Sequence, residues 1–328
     1  MKFFLTIALF VLADTILMAQ LVPSTNQSFQ LIQSFNPAFV GVDNFSSLKI
    51  GYRNQWVSFP GAPQYLNLVF STRLKQPTDV VHNALKTGQS YGPGQLPAGR
   101  RAIQGLGLNL TREKYGVIEN IDIGVSYSYQ IPFSDKIYFS AGLAPSYSNA
   151  RIQVDRLSTK DPDRFLEYLQ SSSTSNSIFN IRTGVALYSP SFYLHFAYLQ
   201  TWSHVIDENI SPIGYNYIAS AGAGVSTNIG PSTKLKPSVF LLMDEQHNEL
   251  VLDYSVKAYF GSQIWGGLMY RSTGFGSVIL GFELNTTIGA SYSYEISTGG
   301  LRGFQNGSHE LVLGLKLNNL RKLTPYVW

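Results

Sequence analysis

From His309 to Leu317 the chain alternates without a break: Leu311, Leu313, Leu315 and Leu317 share one parity, and Glu310, Val312, Gly314 and Lys316 share the other. Successive side chains of an extended strand point to opposite faces, so this segment predicts a strand with one continuous apolar face and one polar or small face. The pattern recurs along the chain. Leu48, Ile50 and Tyr52 oppose Lys49, Gly51 and Arg53. Ile121, Ile123, Val125, Tyr127, Tyr129 and Ile131 oppose Asp122, Gly124, Ser126, Ser128 and Gln130. Leu252, Tyr254, Val256, Ala258 and Phe260 oppose Asp253, Ser255, Lys257 and Tyr259, and Ile288, Ala290, Tyr292, Tyr294 and Ile296 oppose Thr287, Gly289, Ser291, Ser293 and Glu295. A Phe59-Pro60-Gly61-Ala62-Pro63 turn leads from the first strand into Leu66, Leu68 and Phe70. Further strands are read near 102–111, 136–152, 177–189, 191–203, 215–229, 233–244, 264–272 and 276–284, about fourteen in all.

Composition says which solvent the apolar faces meet. Of 328 residues, 13% are charged, against roughly a quarter in an ordinary soluble domain, and another 13% are aromatic. Such a chain exposes little of its surface to water. No run of eighteen apolar residues follows the N-terminus, which leaves a closed barrel as the way to sit in lipid. Apolar side chains outward with Gly, Ser and single charges inward form the pattern of an all-β, antiparallel outer-membrane β-barrel, and Tyr at strand ends suits its interfacial girdles. A large soluble sandwich competes, but its outward positions should carry more charge. The net charge of +4 comes from basic residues scattered one per strand or loop, which argues against a nucleic-acid partner.

The ends and connections complete the expected layout. Residues 1–19 read as an export signal, with Lys2 at the positive end, Phe3 to Ala13 apolar and a cleavage point after Met18-Ala19. There is no Cys, hence no disulfide and no acylation site, so the barrel itself must hold the protein in the membrane. Residues 20–46, broken by Pro23, Pro37 and Gly41, read as a periplasmic N-terminal segment; 47–318 as the barrel; 319–328 as a periplasmic tail. With both termini in the periplasm, the turns at Pro132 to Asp135, Ser189-Pro190, Gly230 to Ser232, Gly261-Ser262 and Asn285-Thr286 face inward and are short, while 153–176 and 204–214 face outward and are long. Asp161-Pro162 followed by Phe165, Leu166, Tyr168 and Leu169 reads as a short capped helix in the outer loop. One inner connection breaks the rule: Lys75 to Arg101, with Lys75, Lys86, Arg100 and Arg101, is either a disordered loop or a docking element for a periplasmic partner.

Candidate chemistry is sparse. His82, His195, His204, His247 and His309 have no metal-like spacing, and no nucleophile motif accompanies them, so neither catalysis nor a metal or other cofactor is expected. His195 with a strand Ser could mimic an outer-membrane lipase site, but no constellation favours that over a lumen His. Lys49, Arg53, Asp122, Arg182, Lys236, Asp253, Lys257, Arg271, Glu283, Glu295, Glu310 and Lys316 fall on the lumen face with mixed signs. Such a set can pair across a closed, side-chain-filled interior, where an unpaired charge is costly.

Several stretches, in order, resemble the PorP/SprF family of type IX secretion outer-membrane proteins of Bacteroidetes. They are Asn36-Pro37-Ala38-Phe39-Val40-Gly41, Tyr52-Arg53-Asn54-Gln55-Trp56, Gly61-Ala62-Pro63, Leu235-Lys236-Pro237-Ser238, Trp265-Gly266-Gly267 with Tyr270-Arg271, Tyr292-Ser293-Tyr294 and Gly307-Ser308-His309-Glu310-Leu311. Tyr294 is followed by Glu295 where the family leads one to expect Asp, and the 75–101 insertion is longer than expected. The resemblance implies a non-enzymatic outer-membrane component of the type IX secretion and gliding system. Its implied partners are a secreted substrate or large surface adhesin, the periplasmic machinery or a peptidoglycan-binding lipoprotein, and the lipid bilayer.

Within that resemblance, Asn36 to Gly41 are expected to fix a turn before the first strand, Arg53 to sit in the lumen beside a carboxylate, and Gln55 and Trp56 to anchor a strand end. The motif positions Asn36, Pro37, Gly41, Arg53, Gln55, Trp56, Gly61, Pro63, Gly307, His309 and Glu310 serve either fold or partner contact. The alternative function is a channel for a small hydrophobic or polar solute, and the third an outer-membrane lipid hydrolase.

Overall fold

The structure is a computed structural model that describes residues 25–74, 102–134, 136–153, 175–207, 217–244, 249–261, 263–298 and 306–318. The expected leader 1–19, the docking-loop residues Lys75, Lys86, Arg100 and Arg101, the capped helix near 161–169 and the tail 319–328 lie outside the described residues.

The strands form one antiparallel sheet closed on itself. In chain order they are β1 (Ser46–Asn54), β2 (Gln64–Arg73), β3 (Ile103–Tyr115), β4 (Ile118–Pro132), β5 (Tyr138–Ile152), β6 (Ser175–Tyr188), β7 (Phe192–Asp207), β8 (Tyr217–Val225), β9 (Thr227–Asn228), β10 (Thr233–Asp244), β11 (Glu249–Phe260), β12 (Ile264–Arg271), β13 (Phe275–Glu283), β14 (Ile288–Ser297) and β15 (Ser308–Leu317). β8 and β9 both pair with β10 and are two pieces of one wall strand interrupted at Ser226, which makes a fourteen-stranded barrel. β1 closes it against β15, from Ser46 opposite Leu317 to Asn54 opposite His309. Closure leaves no edge strand, the condition for a sheet to lie in lipid.

The alternation read from the sequence sets the two faces. Ile121, Ile123, Val125, Tyr127, Tyr129 and Ile131 are exposed, while Ser126, Ser128 and Gln130 between them are buried. In β15, Leu311, Leu313 and Leu317 are exposed, and Glu310 and Val312 are buried. The barrel is not of even height. β1 and β12 have 9 and 8 residues, but β4 and β5 have 15 each and β7 has 16. About 9–11 tilted residues cross a bilayer, so β3 to β7 form a raised wall on one side. One barrel end, called here the turn end, carries the short links between β4 and β5, β6 and β7, β11 and β12, and β13 and β14; the opposite loop end carries those after β5, β7 and β14.

The N-terminal segment corrects the sequence reading. Read as lying in the periplasm outside the barrel, its described part, residues 25–45, is instead inside the lumen, with nearly every side chain buried. The segment starts in the loop-end half, where Thr25 meets Glu310, forms a short helix α1 (Ile32–Phe35) and a 3-10 turn (Pro37–Phe39), and leaves through the turn end into β1. The expected turn at Asn36 to Gly41 exists, but as part of this plug.

Three apolar clusters hold the plug to the wall. Phe29, Ile32, Ala38, Phe39 and Val42 pack with Ala186, Tyr188, Trp265, Met269 and Ile279. Phe35 packs with Phe240, Leu242 and Val251, and Leu31 with Val69 and Val312. Burying a side chain of this size is worth about 1.5–3 kcal/mol. These contacts explain why several lumen-facing strand positions are apolar.

Candidate functional site

The lumen holds two distinct settings: a seam where the plug is bonded to the wall, and an unfilled recess above it. The seam begins with Asn36, which caps the 3-10 turn by accepting the Ala38 N–H at 2.9 Å. Its amide nitrogen donates to the main-chain oxygens of Val185 at 3.1 Å and Phe196 at 3.2 Å. His195, buried beside it, has Nδ1 at 3.4 Å from that nitrogen. Wall hydroxyls and amides satisfy the next carbonyls: Ser140 Oγ donates to Ala38 O at 2.7 Å, and Ser128 Oγ and Gln130 Nε2 to Val40 O at 2.6 and 2.8 Å. Gly41, at φ +70°, gives its N–H to Ser71 Oγ at 2.8 Å, and Arg73 Nε reaches its carbonyl at 2.7 Å. A non-helical segment inside a barrel has no ladder of its own, so its polar groups must find the wall. The lumen serines and Gln130 meet that need.

The remaining partners are charged and are spread from the loop end to the turn end. Glu310 accepts from Thr25 Oγ1 at 2.5 Å and from the Asn26 N–H at 2.6 Å. Arg53, expected beside a carboxylate, lies 2.6 Å from Glu295 and 3.6 Å from Glu310, all three fully buried. Arg271 grips Asp253 through two bonds of 2.7 and 2.8 Å and donates to Thr25 O at 2.9 Å. Lys49 Nζ donates to Gln30 O at 2.8 Å, Lys316 pairs with Glu283 at 2.8 Å, and Arg182 with Asp122 at 2.8 Å. Lys257 Nζ stands 3.5 Å from the centre of the Phe29 ring, and Lys236 4.9 Å from that of Tyr259. The mixed-sign lumen does pair across the barrel, though around a plug and not by side chains alone.

The motif positions separate into two groups. Asn36, Pro37 and Gly41 line the seam at the turn end. Arg53, Gln55, Trp56, Gly61, Pro63, Gly307 and Glu310 gather at the loop end, where the links β1–β2 and β14–β15 meet. There the Gln55 N–H donates to Pro63 O at 2.9 Å, the Trp56 N–H to Ser308 Oγ at 3.2 Å and the Val57 N–H to Gly307 O at 2.9 Å. Gly61 and Gly307 have φ of +75° and +84°, and Trp56 also has a positive φ of 50°. His309 belongs to neither group: it lies on the outer face between Tyr292 and Tyr294, with Tyr292 Oη 2.5 Å from its Nδ1.

A recess of about 150 Å³ opens above the plug inside the raised wall. Glu113, Asn120, Asp122, Ser146, Asn176, Asn180 and Arg182 line it, with Ser34 and Phe35 of the plug. The sequence reading missed Glu113 and the asparagines. No local pattern marks them: Glu113, Asn120 and Asn176 lie near the loop-end tips of β3, β4 and β6, and only strand pairing gathers them.

Solved structures resemble the chain in outline only. They include the CymD monoaromatic hydrocarbon channel (12% identity, 89% of this chain and 91% of that one, TM-score 0.43), the Acinetobacter baumannii outer membrane protein Omp33 (9%, 84% and 100%, 0.44) and the Pseudomonas putida toluene transporter TodX (8%, 87% and 94%, 0.44). No curated protein matches the sequence. The profile of the type IX secretion system membrane proteins PorP/SprF matches residues 17–315, from before the plug to the closing strand. A plugged outer-membrane barrel whose sequence follows that profile almost end to end belongs to the PorP/SprF family.

Proposed function

We propose that the protein is a non-enzymatic outer-membrane component of the type IX secretion and gliding system that retains or helps export a secreted surface protein. The observation that carries this reading is the plug: residues 25–45 are bonded to strands all around the lumen, so the barrel at rest offers binding surfaces and no wide passage. Short turns face the periplasm and longer loops the outside in barrels of this kind, which puts the loop end outward. The secreted partner, a type IX substrate or large adhesin, then engages the outer side. The inward connection with Lys75, Lys86, Arg100 and Arg101 meets periplasmic machinery or a peptidoglycan-binding lipoprotein. An N-terminal signal peptide delivers the chain.

The test is deletion of the protein, with the secreted and surface proteins compared by mass spectrometry and its own partners identified by affinity purification from native membranes. A specific secreted protein should be released or trapped, while solute uptake and lipid composition stay unchanged. Replacing the connections 154–174 and 208–216 with short Gly-Ser turns should disturb retention while the barrel still assembles, since β6 and β7 are left intact. Unchanged surface proteins together with lost uptake of a small molecule would refute retention and leave the channel reading.

A further inference from the structure

The recess in the raised wall has the features of a binding site. Cross-strand pairing places its side chains in rows. Glu113 of β3 faces Asn120 of β4, which faces Ala150 of β5, which faces Asn176 of β6; the row below runs Thr111, Asp122, Ser148 and Ile178, and the next Asn109, Gly124, Ser146 and Asn180. Ala150 leaves space that the larger polar neighbours surround, and Gly124 lets the Arg182 guanidinium lie against β4. The floor is the plug itself, at Ser34 and Phe35.

The polar groups here are unlike those of the seam. Glu113 is 5% exposed and its Oε2 has no hydrogen-bond partner, while Asn176, 3% exposed, has none at either side-chain atom. Ser146 Oγ, Asn180 Oδ1 and Arg182 Nε are likewise buried without a partner, and all five residues line the recess. Buried polar atoms are almost always paired, and a cluster of unpaired ones around an open volume indicates something that fills it. The charge is unbalanced too. Asp122 is matched by Arg182 and by Ser148 Oγ at 2.6 Å, but Glu113 makes no ion pair among the described residues. Phe35, Leu199, Leu242 and Ile178 add apolar surface on which a carbon stem can lie.

We propose that this recess binds a cationic nitrogen, an ammonium or guanidinium group on a short apolar stem. Glu113 Oε2 and the oxygens of Asn176 and Asn180 accept from the cation, and Arg182 Nε donates to a carbonyl beside the stem. A guanidinium with its methylenes suits a volume of about 150 Å³. An anion would meet the Glu113 carboxylate, which has no cation beside it among the described residues, and a plain hydrocarbon would leave Glu113 Oε2, Ser146 Oγ, Asn180 Oδ1, Arg182 Nε and the Asn176 amide unpaired. The cation has two sources: a basic side chain of a secreted polypeptide, which rests on the retention reading above, or a free small amine, which does not.

The experiment is calorimetry on the full-length protein in detergent. The probes are Nα-acetylated so that the side chain carries the only charge: arginine amide, lysine amide, the end-blocked peptide Gly-Gly-Arg-Gly-Gly, and, as neutral isostere, citrulline amide. Glucose and calcium serve as further controls. Arginine or lysine amide should bind, citrulline amide about tenfold or more weakly, and Glu113→Gln should reduce the cations to the citrulline level, the loss expected when one charged hydrogen bond is removed. Asn176→Asp should tighten cation binding, which guards against a Glu113→Gln variant that misfolds. Peptide binding well above that of arginine amide points to a polypeptide source, and the reverse to a small amine. Equal binding of citrulline amide, preference for glucose or calcium, or an unchanged affinity in a folded Glu113→Gln variant overturns the proposal. Since these probes need no secreted partner, their result is independent of the deletion test.

Discussion

Asn36 lies so close to Gly184 that a Cβ on that glycine would stand 2.1 Å from the Asn36 side-chain oxygen. The same oxygen caps the 3-10 turn, so the contact joins plug conformation to wall composition. Gly184→Val should therefore unseat the 36–41 turn while leaving the lipid face untouched. The expected result is faster hydrogen exchange in residues 25–45 of a barrel that still migrates as a folded species on gels. Exchange in the plug equal to that of the parent protein would show that the contact is not needed.

The buried group of Arg53, Glu295 and Glu310 joins three wall strands, and Glu310 also holds Thr25 and Asn26. Removing the arginine alone leaves two buried carboxylates facing each other, so Arg53→Met should cost about 3–5 kcal/mol in urea unfolding from vesicles. Adding Glu295→Gln should recover part of that loss. Equal stability of the single and double variants would mean that the carboxylates are not coupled.

The two faces of β15 respond differently to substitution. Leu313, 44% exposed on the lipid face, should lose about 2–4 kcal/mol as Leu313→Arg near the midplane. Reading parity alone makes Val312→Thr, on the lumen face, a tolerated change. The structure revises that expectation, because Val312 packs against Leu31 and Val69, and a hydroxyl placed there without a partner costs about 1–3 kcal/mol. Urea midpoints of the two variants check both values.

The plug also predicts an electrical phenotype. In planar bilayers the parent protein should conduct little, and deletion of residues 26–43 should open stable channels, because the wall without its plug is a fourteen-stranded barrel. A parent protein that conducts as strongly as the deletion would show that the plug does not close the lumen.

The parity of side chains was legible in the sequence because a strand in a barrel meets two different media, and each residue must suit one of them. Alternate residues from Leu311 to Leu317 and from Ile121 to Ile131 could only face lipid, so strand number, strand placement and the inward position of Arg53 followed from local pattern. The plug was not legible. Residues 25–45 have no period, since their conformation is set by the wall: Asn36 needs the carbonyls of Val185 and Phe196, and Gly41 needs Ser71, groups brought together only when distant strands close. Val312, Ile279 and Val251, apolar residues on polar faces, were the one trace of it. The recess was hidden for the same reason, because Glu113 and Asn176 are separated by 63 positions in the sequence and become neighbours only through the register of β3 to β6. Sequence fixes which way a side chain points from the strand it belongs to, whereas what it meets inside the barrel depends on the pairing of strands far apart in the chain.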